Sequence, residues 1–248
     1  MDSRTKAHRR ILSGDVSVEG VVVLKPSHDV SDNVDIEMTG RPDFVGRGAV
    51  KLLAALEEWN IDPSGVVALD IGASTGGFTQ VLLEGGASRV VAVDVGHDQL
   101  HPLLSGDPRV ESFEGVNVRE ITREWWEREV GPVPSLITSD LSFISLTQVI
   151  PSVVDALGAR DWIALIKPQF EVGKGGVKQG IVTNPTLRVT ALQSVLECAA
   201  TVGLLARGLI ASPITGESGN REYLCWLSPT LGRNPPQWTE HIHQLAHS

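Results

Sequence analysis

The stretch Ala68-Leu69-Asp70-Ile71-Gly72-Ala73-Ser74-Thr75-Gly76-Gly77-Phe78-Thr79 constrains the fold more than any other part of the chain. An apolar, β-rich run passes into a glycine-rich turn and then into a helix-like segment, the corner at which open α/β sheets bind ligands. The glycines let a ligand approach the backbone closely, and the helix start offers unpaired N–H groups to a carboxylate or phosphate. About twenty residues on, Val90-Val91-Ala92-Val93-Asp94 ends a second strand in a carboxylate that can accept hydrogen bonds from both hydroxyls of an adenosine ribose. A packing turn without a ligand would leave Asp94 unexplained.

The detailed pattern narrows the ligand. A dinucleotide fingerprint would read G-x-G-x-x-G, whereas Asp70 opens a D-x-G-x-x-x-G-G pattern that resembles motif I of S-adenosylmethionine methyltransferases. A carboxylate in the loop would repel a pyrophosphate and suit a ligand carrying an amino group and a sulfonium charge. Gly173-Lys174-Gly175-Gly176 lacks the G-x-x-x-x-G-K-[ST] spacing of a phosphate loop, so a lid over the site or a plain surface loop is expected there.

From residue 66 onward, short apolar runs alternate with helix-like segments, the signature of a parallel sheet covered on both faces. Strands are expected over residues 66–71, 89–95, 109–114, 135–139 and 162–167, with two late ones over 206–211 and 222–227. Residues 50–59 place Val50, Leu53 and Leu56 on one helical face, and residues 186–202 form a second helix after Asn184-Pro185. With 42% hydrophobic residues in 248, the chain can bury the core of one catalytic domain and carry a small appendage. Cys198 and Cys225 have no motif spacing to each other or to histidine pairs, so neither a disulfide framework nor a metal site is expected. No secretory signal is read at the N-terminus, and no apolar stretch nears the roughly 18 residues that span a bilayer, which points to a cytoplasmic protein. A net charge of −9 opposes nucleic-acid binding in general, because phosphate contacts need Lys and Arg. The basic residues are nevertheless clustered, at Arg4 to Arg10, at Arg41, Arg47 and Lys51, and at Lys167, Lys174 and Lys178, so a local basic face is compatible with an acidic chain.

Polar residues stand at the ends of apolar strands in Thr138-Ser139-Asp140-Leu141-Ser142-Phe143, Leu165-Ile166-Lys167-Pro168-Gln169-Phe170-Glu171 and Gly219-Asn220-Arg221-Glu222-Tyr223. Asp140 and Lys167 would be neighbours if their strands are adjacent; alone, Lys167 also reads as a snorkelling surface lysine. Together with Gly46-Arg47-Gly48-Ala49-Val50-Lys51-Leu52, these segments resemble the TlyA family of ribosomal RNA 2′-O-methyltransferases, within the wider FtsJ-like group, over nearly the whole chain. The resemblance implies a Rossmann-like α/β fold, a seven-stranded sheet with helices on both faces. It implies a catalytic tetrad of Lys51, Asp140, Lys167 and Glu222. S-adenosyl-L-methionine would be held by Asp70, Gly72, Ala73, Ser74, Thr75, Gly76, Gly77, Phe78, Asp94, Val95, Asn117 and Asp140. Lys167, flanked by Asp140 and Glu222, would orient a ribose 2′-hydroxyl and stabilise its developing charge, or accept its proton. Lys51 would steer the RNA backbone or target ribose.

The first forty residues read as a separate α+β unit, a basic helical piece over 4–12 followed by strand-like runs over 16–18, 21–24 and 34–38. They resemble the later part of the small S-four-type RNA-binding domain that TlyA proteins carry, without its usual first helix; either the start lies further upstream or the module is shortened. RNA contacts are expected from Arg4, Lys6, Arg9, Arg10 and Arg47. The expected division is a partial RNA-binding module over 1–40, a methyltransferase domain over 41–232 and a tail over 233–248 ending in a short surface helix. Ribosomal RNA or ribosomal subunits are the expected partners, and a monomer the expected state. Competing readings are a methyltransferase acting on another RNA or a small molecule, and a membrane-active haemolysin, which would call for an amphipathic or spanning segment.

Overall fold

The computed structural model describes Ala7, Arg10, Ile11 and residues 16–31, 34–38, 44–173, 177 and 179–248. Arg4, Lys6, Arg9, Arg41, Lys174 and Lys178, and with them most of the basic helix and of the glycine lid, lie outside the described residues. The chain divides into two compact units, Met1–Asp43 and Phe44–Ser248.

In the first unit, Ala7, Arg10 and Ile11 are helical. Three short antiparallel strands, β1 (Val16–Val18), β2 (Val21–Val22) and β3 (Ile36–Met38), form a sheet in the order β2-β1-β3. Glu19 and Gly20, at φ 49° and 77°, make the two-residue turn between β1 and β2, the left-handed pair that matches the twist of a hairpin.

The second unit is built on a seven-stranded sheet in the order β6-β5-β4-β7-β8-β10-β9. Its strands are β4 (Val67–Ile71), β5 (Arg89–Asp94), β6 (Val110–Glu114), β7 (Leu136–Ser139), β8 (Asp161–Ile166), β9 (Leu205–Ala211) and β10 (Tyr223–Ser228), each within two residues of its expected bounds. β6, β5, β4, β7 and β8 run parallel, and β10 lies antiparallel to both β8 and β9. Successive residues of a strand feed two separate cores. Leu69, Ile137 and Trp162 pack on one face beneath α5 (Leu146–Leu157) and α7 (Pro185–Thr201); Ala68, Leu136 and Ile163 pack on the other beneath α1 (Gly48–Trp59) and α2 (Gly77–Glu84). Such two-sided burial is why these strands read as continuous apolar runs. Shorter helices are α3 (Pro102–Ser105), α4 (Arg123–Glu129) and α6 (Pro168–Glu171).

The C-terminal segment is more than a surface appendage. Helix α8 (Thr239–His247) sends Ile242 and Ala246 into the core with Trp238, whose indole N–H donates to the Ala206 carbonyl. Among the described residues no helix is long and apolar enough to cross a membrane.

β4 is the switch point of the sheet, with β5 on one side and β7 on the other. The crevice outside the carboxyl ends of strands at such a point is where open α/β sheets place their ligands.

Candidate functional site

The glycine-rich turn leaves β4 at Gly72, at φ 78°, where a Cβ would stand 2.7 Å from the Asp140 carbonyl oxygen, so only glycine fits. Ser74, at φ 49°, donates its N–H to Asp94 Oδ2 at 2.8 Å, and Gly96 N–H donates to Oδ1 at 2.8 Å. These two bonds orient the half-buried Asp94 carboxylate at the end of β5, and each oxygen keeps acceptor capacity for a ligand hydroxyl. Glu114, on β6, accepts from the N–H groups of Asp98 and Gln99 and so ties down the adjoining loop; those bonds hold its carboxyl below the usual carboxylate range.

Asp70 is buried beneath the turn. Its side chain is fully buried, with Oδ2 accepting from Thr79 Oγ1 at 2.7 Å and Oδ1 from Thr138 Oγ1 at 3.1 Å. It joins β4 to α2 and β7 beneath the turn, and burial raises its carboxyl to about 7 against the lowering effect of the two threonine bonds. Strand alternation turns Asp70 inward, so the carboxylate expected to face a cationic ligand lies among threonine hydroxyls instead.

A cleft of about 620 Å³ opens over the turn. Gly72, Ala73, Ser74, Thr75, Gly77 and Phe78 line it. Gly76 instead faces Leu100 and Leu104, Val95 is an exposed neighbour of Asp94, and Asn117 caps a 3-10 turn by accepting from Arg119 N–H. None of these three, nor Asp94, belongs to the cleft lining.

Lys51, Asp140, Lys167 and Glu222 converge on this cleft from α1 and the ends of β7, β8 and β10. They form two ion pairs. Lys167 Nζ lies 2.6 Å from Asp140 Oδ1, on adjacent parallel strands. Lys51 Nζ lies 2.6 Å from Glu222 Oε2, both side chains more than nine-tenths buried. The expected arrangement of Lys167 between Asp140 and Glu222 is thus replaced by separate pairs, because α1 packs on the sheet face that carries Leu224 and brings Lys51 within reach of Glu222. Lys167 Nζ also donates to Ser142 Oγ at 3.0 Å, and Gln169 Nε2 to Glu222 Oε1 at 3.5 Å. A buried ion pair adds little net stability but fixes geometry, which is what a positioning site requires.

Gly48 and Gly77 allow α1 to approach: a Cβ on Gly48 would stand 3.2 Å from Asp140 Oδ2, and one on Gly77 2.9 Å from Ala49 N. Arg47, exposed at the cleft, donates to the Thr215 carbonyl at 2.9 Å. Arg10 is buried, which removes it from the set of surface contacts expected for RNA.

Sequence reasoning missed Phe143. It is 92% exposed at the cleft, adopts φ 65°, and lies 5.2 Å from the Phe170 ring. A left-handed backbone is uncommon for an aromatic residue, and a linear sequence does not show it.

The profile of a family described as FtsJ-like methyltransferase matches residues 44–228. The 16S/23S rRNA (cytidine-2′-O)-methyltransferase TlyA of Mycobacterium tuberculosis is 44% identical over 235 residues, covering 93% of this chain and 86% of that protein. Hemolysin A of Brachyspira hyodysenteriae is 42% identical over 225 residues, 90% and 92% of the two chains. A solved structure described as a hemolysin from Streptococcus thermophilus superposes with a TM-score of 0.76 at 35% identity, covering 100% of this chain and 91% of that one. A family match running from the start of α1 to the end of β10, with relatives this similar across nine-tenths of the sequence, means that the chain belongs to the FtsJ-like methyltransferases, in their TlyA group.

Proposed function

We propose that this protein methylates a ribose 2′-hydroxyl of ribosomal RNA, with S-adenosylmethionine as donor, in the cytoplasm. The observation that carries the reading is the placing of the ion-paired Lys167 in the same cleft as the glycine turn. The turn fits the cofactor: its backbone from Gly72 to Thr75 lines the cleft and suits an amino-acid moiety, and Asp94, bonded to Ser74 N–H at the end of β5 outside the cleft lining, suits a ribose diol. When bound, S-adenosylmethionine supplies an electrophilic methyl on a sulfonium centre.

The remaining work falls to the chain. A ribose hydroxyl is a poor nucleophile at neutral pH, so it must be held in line with the methyl and its developing negative charge offset. Lys167, fixed by Asp140 and Ser142, does both by donating to the target oxygen, and the hydroxyl proton released on methylation passes to solvent through the cleft. Lys51, buried and paired with Glu222, holds α1 against the sheet and so shapes the cleft that receives the target ribose. Phe143 offers an exposed ring on which an unstacked base can lie, the usual mode by which proteins hold single RNA nucleotides. The name of the mycobacterial relative suggests cytidine as the target nucleoside.

The test is transfer of labelled methyl from S-adenosylmethionine to separately purified, unmodified small and large ribosomal subunits, with Lys167→Ala as control. Label that maps to a ribose and is lost in the variant is the expected result. Near-normal turnover by Lys167→Ala with intact cofactor binding would remove the catalytic assignment. Label on protein or base would remove the substrate class.

A further inference from the structure

We propose that Ser142 is a positioning residue for Lys167, one that fixes the direction in which the side-chain nitrogen meets the target oxygen. The inference rests on the functional reading above. Lys167 Nζ donates a hydrogen bond to Ser142 Oγ at 3.0 Å, whereas Asp140 Oδ1, 2.6 Å away, is an ion-pair contact without hydrogen-bond alignment. The serine therefore sets the direction of the ammonium, and Lys167 lines the cleft, with the Phe170 ring centroid 6.0 Å from Nζ. With Asp140 alone, the long lysine side chain can still pivot about the ion-pair contact. The hydroxyl 25 residues away in sequence removes that freedom.

The turn that delivers Ser142 is itself held. Phe143, immediately after it, adopts φ 65°, a left-handed conformation uncommon for an aromatic residue. Two residues further on, Ser145 Oγ and Leu146 N–H both donate to the Glu171 carboxylate at the end of α6. Lys167 is the residue that precedes α6, so one end of this short helix carries the lysine and the other anchors the serine turn. Ser142 is exposed at the cleft, so its hydroxyl acts through position more than through packing.

The experiment compares the wild-type chain with Ser142→Ala, Ser142→Thr and Lys167→Ala in labelled methyl transfer to ribosomal subunits, at saturating cofactor and varied RNA. Thermal midpoints and S-adenosylmethionine Kd are measured alongside. Loss of one orienting hydrogen bond should lower kcat of Ser142→Ala about tenfold. The KM for RNA, the cofactor Kd and the melting midpoint should stay unchanged, and Ser142→Thr, which keeps the hydroxyl, should recover most of the rate. An unchanged kcat overturns the inference, and so does a loss confined to KM, which would make Ser142 a direct RNA contact. A Ser142→Thr variant as slow as Ser142→Ala overturns it as well. Absence of transfer by the wild-type chain would overturn the functional reading itself; transfer that Lys167→Ala abolishes and Ser142→Ala retains would overturn this inference alone.

Discussion

Asp70 carries the clearest pH signature in the molecule. Its carboxyl titrates near 3.8 when solvated and near 7 when buried in the fold, so between these values the native state holds a proton that the unfolded chain releases. The contribution of Asp70 to stability is therefore fully present below the lower value and falls as pH rises through the window, by up to about 1.4 kcal/mol per pH unit. Asp70→Asn should flatten that slope in urea unfolding measured from pH 4 to 8; a slope unchanged in the variant would assign the titration elsewhere. The Lys51–Glu222 pair makes a second, separable prediction. Glu222→Ala strands a buried ammonium and should cost about 3 kcal/mol, whereas Lys51→Met with Glu222→Leu should restore stability without restoring methyl transfer. Recovery of activity in the double variant would reduce the pair to scaffolding. At this scale the sequence was legible only in part. The identity of the four clustered residues followed from motif resemblance, but how they pair did not, because the approach of α1 to Glu222 is a tertiary fact. The inward turn of Asp70 and the exposure of Phe143 were hidden for the same reason.

Helix α5 shows how two elements compensate for a local fault. Pro151 sits in its interior and has no N–H, so the Thr147 carbonyl four residues earlier lacks its helical donor. Cys198, on α7, supplies one: its Sγ–H donates to that carbonyl at 3.4 Å. A cysteine that fitted no disulfide or metal spacing thus has a structural use, one that spacing rules cannot reveal. Cys198→Ala should cost about 0.5–1 kcal/mol in chemical denaturation and Cys198→Ser less, since a hydroxyl can donate equally. In a Pro151→Ala background the backbone N–H returns and Cys198→Ala should become neutral; additive effects of the two substitutions would break the link. Strands were the most legible elements, since burial on both faces makes central ones such as β4, β5 and β8 largely apolar runs bounded by turn residues. Helix α8 was the least legible. Its composition, Thr-Glu-His-Ile-His-Gln-Leu-Ala-His, carries too few apolar residues to signal that Ile242 and Ala246 complete a core built by residues far away in sequence.

Across the whole chain the electrostatics oppose the proposed substrate. With a net charge of −9, the long-range field repels RNA, so affinity must come from a few cations set against phosphates at short range. Such contacts release counterions, and log affinity should fall linearly with log salt, by roughly 0.7–0.9 per phosphate engaged. An acidic protein with a small basic face should show a slope of about 3–5, well short of the roughly 10 of an extensively basic interface. Arg47 is the described residue best placed to contribute, exposed at the cleft, with one Nη2 donor on the Thr215 carbonyl and its other guanidinium donors unassigned to any carboxylate. Arg47→Ala should therefore weaken binding of unmodified ribosomal RNA and reduce the slope by about one, while the Kd for S-adenosylmethionine stays constant. Filter-binding titrations over a salt series give both quantities from one data set. A slope that does not change on removing Arg47 would mean that the guanidinium serves the Thr215 loop alone, and that phosphate recognition resides elsewhere on the chain.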